Sequence, residues 1–245
     1  TAENIHYANL TLDEQVTLYA PHAYGIYLAP NFQAAYGVEI TLKGKIIARD
    51  GIGINRLVQG KGKHVPKITI SDSALIEVDA DEGVALSAVG YGEWQIGAAT
   101  ITGATGASVK AGQLEFAGTK LTATGELANP SGWDNSIGVG AVVQIEESDE
   151  YAGDIRLSFV GGEYVSRQSY LVTKYGTGAT LQILEIKAGN FKVPSGVFYG
   201  VAPNNDKVKS TVAVSGGTFV ALNATELTDY LAKGFYLDTN RKTGI

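Results

Sequence analysis

The sequence contains no cysteine. That excludes disulfides and thiolate metal sites, and it leaves the redox compartment open. Methionine is absent as well, so the chain opens on Thr1 without an initiator. A start processed by Met removal, a mature form and a trimmed fragment all remain open, and an intact start implies cytoplasmic synthesis without an export signal. No apolar run approaches the ~20 residues that span a bilayer, and no apolar signal segment is present; no membrane insertion is expected. Charge is scarce, with 18% Asp, Glu, Lys and Arg, and its balance is negative at −6. Nucleic-acid affinity depends on clustered Lys and Arg, so no nucleic-acid partner is expected. Long helical periodicity is also missing, since apolar residues do not recur at i, i+3, i+4 over long windows.

What is present is glycine, 31 of 245 residues, and a pattern that recurs seven times. Its unit is apolar, any, apolar, any, small-or-polar, two spacers, apolar. The copies are centred on Leu42, Ile70, Ile96, Phe116, Phe159, Ile186 and Val214. Period-two alternation turns Ile40 and Leu42 to one side and Thr41 to the other. The small residue lets the chain turn, and Gly161-Gly162 and Gly216-Gly217 supply positive φ there at little steric cost. The last apolar place (Ile47, Leu75, Ile101, Leu121, Tyr164, Phe191, Phe219) is expected to point inward again. A second strand, usually led by glycine, precedes each copy, as in Gly25-Ile26-Tyr27-Leu28 and Gly140-Ala141-Val142-Val143. A repeat of this kind predicts stacked units, because no single copy can bury its apolar face alone. At ~4.8 Å per stacked strand, seven coils make a rod of roughly 34 Å.

Steps between central residues run from 20 to 28, except for one of 43 between Phe116 and Phe159. The excess holds Asn129-Pro130-Ser131-Gly132-Trp133-Asp134-Asn135, which is turn chemistry carrying a tryptophan. Insertions in repeat arrays map to loops and often mark the interacting side. Residues 12–18 are ambiguous between helix and strand. Residues 225–233 read as a helix, capped by Asn223 or Thr225 and ended by Gly234. The expected organisation is an N-terminal cap or attachment segment over 1–20, a solenoid over 21–221 and a C-terminal cap with a short helix over 222–245.

Stacked apolar-x-apolar strands with small-residue turns resemble right-handed single-stranded parallel β-helix proteins over roughly residues 21–221. The segment Ala99-Thr100-Ile101-Thr102-Gly103-Ala104-Thr105-Gly106, followed by Val109-Lys110-Ala111-Gly112, is similar to repeats in surface β-helix proteins of gut-type bacteria and their phages. Val214-Ser215-Gly216-Gly217-Thr218-Phe219 with Tyr230-Leu231-Ala232-Lys233-Gly234-Phe235 resembles the ending many of those arrays use. The resemblance implies an all-β fold, display on a virion or cell surface, and assembly as a homotrimer. It does not imply one reaction, because this architecture hosts unrelated functions.

Candidate chemistry is sparse. Asp72 occupies a turn place and reads as an Asx turn. Asp79, Asp81 and Glu82 read as a loop and are weak candidates for a cation, since neither the EF-hand nor the glycine-rich Ca²⁺ pattern is present. Glu146, Glu147, Asp149 and Glu150 read as a solvated turn. His64 lies in the only basic cluster, with Lys61 and Lys63; the plain reading is a solvated loop, the functional one contact with an acidic partner or polysaccharide. Trp94 falls on an inward place. Trp133 with Asp134, and Tyr24, Tyr27 and Tyr36 in the first coil, are candidate contacts for sugar rings or protein. Tyr91 and Tyr175 fall in turns. No metal site and no cofactor are expected.

Three functions are open. The first is a non-catalytic structural or display protein of a phage particle (a head fibre, decoration or tail-associated component), partnered by a capsid or other virion protein and binding host-surface or environmental glycans. The second is a bacterial surface adhesin or carbohydrate-binding β-helix, placed extracellularly or on the cell surface. The third is a polysaccharide lyase or hydrolase. Stacked rungs can assemble a site from distant residues, so the third requires three or more carboxylates and a basic residue converging on one exterior groove.

Overall fold

The structure is a computed structural model that describes residues 7–22, 24–28, 37–49, 52–57, 65–79, 81–126, 140–146, 154–175, 181–199, 211–220 and 224–239. Strands follow one another in threes. The chain begins β1 (Tyr7–Leu12), β2 (Thr17–Ala20), β3 (Tyr24–Leu28), then β4 (Gly37–Leu42), β5 (Lys45–Ala48), β6 (Ile52–Leu57). It continues β7 (Lys67–Ile70), β8 (Leu75–Val78), β9 (Val84–Val89), then β10 (Glu93–Ile96), β11 (Thr100–Gly103), β12 (Thr105–Val109). Next come β13 (Gly112–Ala117), β14 (Lys120–Ala123), β15 (Val143–Glu146), and then β16 (Ile155–Ser166), β17 (Val172–Tyr175), β18 (Leu181–Lys192) and β19 (Phe198–Tyr199). The last elements are β20 (Val212–Val214), β21 (Thr218–Val220) and the five-residue helix α1 (Ala224–Thr228).

Among the described residues every strand pairing is parallel, and each strand pairs with its counterpart one set earlier or later. Three faces result. Face one stacks β1, β4, β7, β10, β13, the first half of β16, the first half of β18, and β20. Face two stacks β2, β5, β8, β11, β14, the second halves of β16 and β18, and β21. Face three is a separate seven-stranded sheet, β19-β17-β15-β12-β9-β6-β3. Faces one and two join because β16 and β18 run unbroken through the corner. Gly161 and Gly162 make that corner in β16 at φ of 81° and 102°. A Cβ on Gly162 would stand 2.7 Å from the Thr119 nitrogen, so only glycine fits. The architecture is an all-β, parallel-stranded solenoid consistent with a parallel β-helix.

Register explains the core. On face one Ile68, Trp94, Leu114 and Leu157 stack in line, and beside them Ile70, Ile96, Phe116 and Phe159. All of these are buried, Trp94 at its expected inward place included. Phe116 stacks on Phe159 with ring centroids 5.1 Å apart. Across the corner Tyr164 stacks on Phe191 at 4.9 Å, and Phe191 on Phe219 at 4.8 Å. Phe159 meets Tyr164 edge-on at 4.8 Å, tying the two stacks together. Burial raises the Tyr164 phenol pKa, and its hydroxyl donates to the Gly161 carbonyl at 2.7 Å.

Three expectations need correction, and one open reading is settled. The inward place on face two is held in the second and third strand sets by Ile46 and Ile76, both fully buried, and not by Ile47 and Leu75. Ile46 pairs with Ile76 and Ile76 with Ile101, so neighbouring strands set the register while the preceding turn shortens or lengthens by a residue. Residues 12–18 are not helical; they comprise the end of β1, a turn closed by Val16 N–H donating to the Asp13 carbonyl at 3.0 Å, and the start of β2. Parallel pairing includes β1, which pairs with β4. The helix near the C-terminus stops at Thr228 because Tyr230, Leu231 and Ala232 extend along the β20 edge, bonding through both sides of Val214. Finally, Tyr175 ends β17 instead of lying in a turn.

Phe159 touches both aromatic stacks and is fully buried. Phe159→Ala should lower unfolding free energy by about 3–5 kcal/mol, read from urea denaturation. A variant that unfolds with the parent contradicts the packing described.

Candidate functional site

Alternation that buries Trp94, Leu114, Leu157 and Leu184 turns their neighbours outward. The middle residue of each motif thus lines up on the exterior of face one. Gln95, Glu115, Ser158 and Glu185 stand in register on β10, β13, β16 and β18. A second outward row beside it carries Glu93, Gln113, Arg156 and Ile183. Together they line a shallow groove of about 400 Å³. Lys187 closes one side and pairs with Glu185 at 2.8 Å. That hydrogen bond raises the lysine pKa, and Glu115 adds to the shift at longer range. Three carboxylates and two cations therefore share one exterior groove.

One of the side chains that line it is a shielded serine. Ser158 Oγ is shielded from solvent and has no hydrogen-bond partner. Leu157 and Phe159 on either side point into the core, so the Ser158 side chain stands on the outer side of the sheet, among the residues that line the groove. A buried hydroxyl left unbonded costs about 1–3 kcal/mol, and Ser158 Oγ shares this state with other shielded atoms, Trp94 Nε1 beside the groove among them.

The residues singled out from the sequence fare differently. Trp133, Asp134, Tyr36, Lys61, Lys63 and His64 lie outside the described residues. Tyr24 and Tyr27 come together on β3, exposed and stacked with centroids 5.0 Å apart. Asp79, Asp81 and Glu82 are exposed and share an open depression with Glu77 and Glu126. Asp79 forms an ion pair with Arg49. Among the described residues, no group of three or more His, Asp or Glu side chains is placed to hold a metal ion. Asp72 supports backbone, but of the next strand set: its Oδ1 accepts the Ala98 N–H at 2.9 Å. Glu146 ends β15 and pairs with the buried Lys110 at 3.1 Å, so it is not part of a solvated turn; residues 147–150 lie outside the described ones.

The ends of the solenoid form a second kind of surface. Eight of the nine exposed large apolar side chains among the described residues lie there. Leu10, Val16, Tyr19, Tyr24 and Tyr27 belong to the first strand set; Val220, Phe235 and Tyr236 belong to the last elements, with Tyr236 at 85% exposure. Exposed apolar surface is thus concentrated at the two ends. At the C-terminal end Glu226, on α1, accepts the Val197 and Phe198 N–H groups at 3.2 Å each, closing the edge of face three.

No helix among the described residues is long and apolar enough to cross a membrane. No family model matches this chain, and no curated protein or solved structure matches it. The class that can be stated is the parallel-stranded solenoid defined by its own strand register.

Burial raises the Glu226 pKa above 4.5, against the opposing pull of the two backbone N–H groups. The folded chain thus binds this proton more tightly than the unfolded chain, so stability falls as pH rises from 4.5 through the raised value. Glu226→Gln keeps an acceptor oxygen and removes the titration. The melting temperature of the variant relative to the parent should increase between about pH 4 and about pH 7; a constant difference contradicts this account.

Proposed function

We propose that this chain is a non-catalytic display protein of a phage particle, a head fibre, decoration or tail-associated component. In this reading it is a right-handed parallel β-helix of about seven coils with caps at both ends, assembled as a homotrimer on the virion surface and binding glycans of the host surface or environment. The observation that carries the reading is the segregation of surfaces. Exposed apolar side chains collect at the two ends, while the flank carries the polar groove. Such a rod attaches by its ends and presents its side. The two segments that resemble surface β-helix repeats and their ending support placement on a virion. Native mass spectrometry and reconstitution with the particle test it. The expected result is a trimer that joins the particle, weakened by Tyr236→Ser. A lone monomer that never joins one contradicts the reading.

One observation favours a second reading, a polysaccharide lyase or hydrolase. The groove meets the requirement of three carboxylates with a basic residue. Glu115 and Glu185 stand two strands apart, with Ser158 between them. Two strand spacings put their backbones about 9.6 Å apart, just beyond the ~6.5–9.5 Å that separates the carboxylates of inverting glycosidases. Release of reducing ends from a polysaccharide panel, abolished by Glu115→Gln, is the result this reading requires. Absence of release with the parent chain rejects it.

A further inference from the structure

We infer that the face-one groove is a subsite for a neutral, hydroxyl-rich polysaccharide, held by vicinal hydroxyls across Glu115, Ser158 and Glu185. The inference deepens the glycan-binding part of the proposed function and rests on it.

The chemistry of the three side chains selects the ligand. Ser158 Oγ lacks a partner and has a proton to donate. On the strands either side of it stand carboxylates, which accept hydrogen bonds and cannot donate. A group that fits here must accept from Ser158 and donate to a carboxylate. A hydroxyl does both. A protonated amine donates but does not accept. A carboxylate or phosphate accepts but does not donate, and it would be repelled by Glu115 and Glu185. A pair of neighbouring hydroxyls is spaced to reach from Ser158 to the next strand, as a vicinal diol on a sugar ring does.

Charge and repetition point the same way. The groove holds Glu93, Glu115 and Glu185 against Arg156 and Lys187, one negative charge in excess. The chain carries −6 overall, which disfavours a polyanion. Lys187 is already committed to Glu185 at 2.8 Å. Gln95 and Gln113 extend the same two outward rows toward β10, offering amide donors and acceptors at successive strand spacings of about 4.8 Å. A linear polymer laid across the strands meets polar groups on four of them in turn.

The test uses the full chain and affinity electrophoresis or calorimetry. The probes are soluble neutral polysaccharides (glucan, mannan, galactan) and carboxylated ones (polygalacturonate, alginate). The expected result is binding of at least one neutral polymer that changes little with salt. Ser158→Ala and Glu115→Gln should each weaken it by about fivefold or more, with the melting temperature of Ser158→Ala unchanged or raised. Asp81→Asn, in the depression on the other side, should leave binding unaltered. Neutral binding that survives both groove variants overturns the site and leaves glycan binding standing. Binding confined to the carboxylated polymers and abolished by salt overturns the ligand class. No binding to any polymer overturns both this inference and the glycan-binding reading beneath it. Ser158→Ala with higher stability and unchanged affinity assigns the orphan hydroxyl to an ordered water and also overturns the inference.

Discussion

In-register parallel pairing is the constraint on which the rest of this molecule depends. A parallel ladder places each side chain directly over its counterpart one strand set away, and it does so for whole columns at once. The columns on the inner side must then be apolar and of matched width. Ile68 under Trp94, Leu114 and Leu157 satisfies this, and so does the run from Leu121 through Tyr164 and Phe191 to Phe219. Aromatic rings suit such columns because offset stacking repeats at nearly the strand spacing, as the 4.8–5.1 Å centroid distances show. The corners must also coincide, which is why a glycine with positive φ recurs at Gly118, Gly161 and Gly162. A fold of this type spreads stability over neighbouring contacts and leaves only its two ends unsatisfied.

Much of this was legible in the order of residues, because period-two alternation and turn glycines are local signals. Leu114-Glu115-Phe116 and Leu157-Ser158-Phe159 already say which side chains face in. Other features were not legible, for physical reasons. The turn before Ile46 is shorter than the turn before Ile76, and only the neighbouring strand reveals which residue of Ile46-Ile47 or Leu75-Ile76 enters the core. Asp72 looked like a self-contained turn, yet its acceptor reaches Ala98, 26 residues away. Lys110 follows β12 with its side chain 3% exposed and paired with Glu146 from the next strand of face three, a burial that no local pattern announces. On face three β9 and β12 are buried at every residue. Ser108, Gln144 and Thr173 occupy outward places and are nonetheless buried.

The groove followed the same logic in reverse. Sequence reasoning looked for function in what the repeat did not explain, namely the loop with Trp133, the basic loop at Lys61 and the ends. The ends do carry the exposed apolar surface. The polar groove, however, is built by the repeat itself, from the middle place of consecutive motifs. Gln95, Glu115, Ser158 and Glu185 are separated by tens of residues in the chain and by one strand spacing in space. No local motif announces such a site. Its signal was that the middle place changes from Thr41 and Thr69 in the early copies to Gln95, Glu115, Ser158 and Glu185 in the next four, before Ala213 in the last. A solenoid can thus display a row of chosen groups on a rigid flank while its inner columns stay apolar.

Because the chain has no cysteine of its own, register can be read directly by engineered crosslinks. Thr69 pairs with Gln95 across β7 and β10, and both side chains face outward. Directly paired positions on parallel strands lie about 4.8 Å apart, within the ~4.4–6.8 Å that a disulfide requires. Thr69→Cys with Gln95→Cys should oxidise to a disulfide under mild conditions. Thr69→Cys with Glu93→Cys, displaced by two residues on the same face, should stay reduced. A disulfide in the displaced pair alone, or in neither pair, would contradict the parallel register from which the core, the groove and the proposed function are all argued.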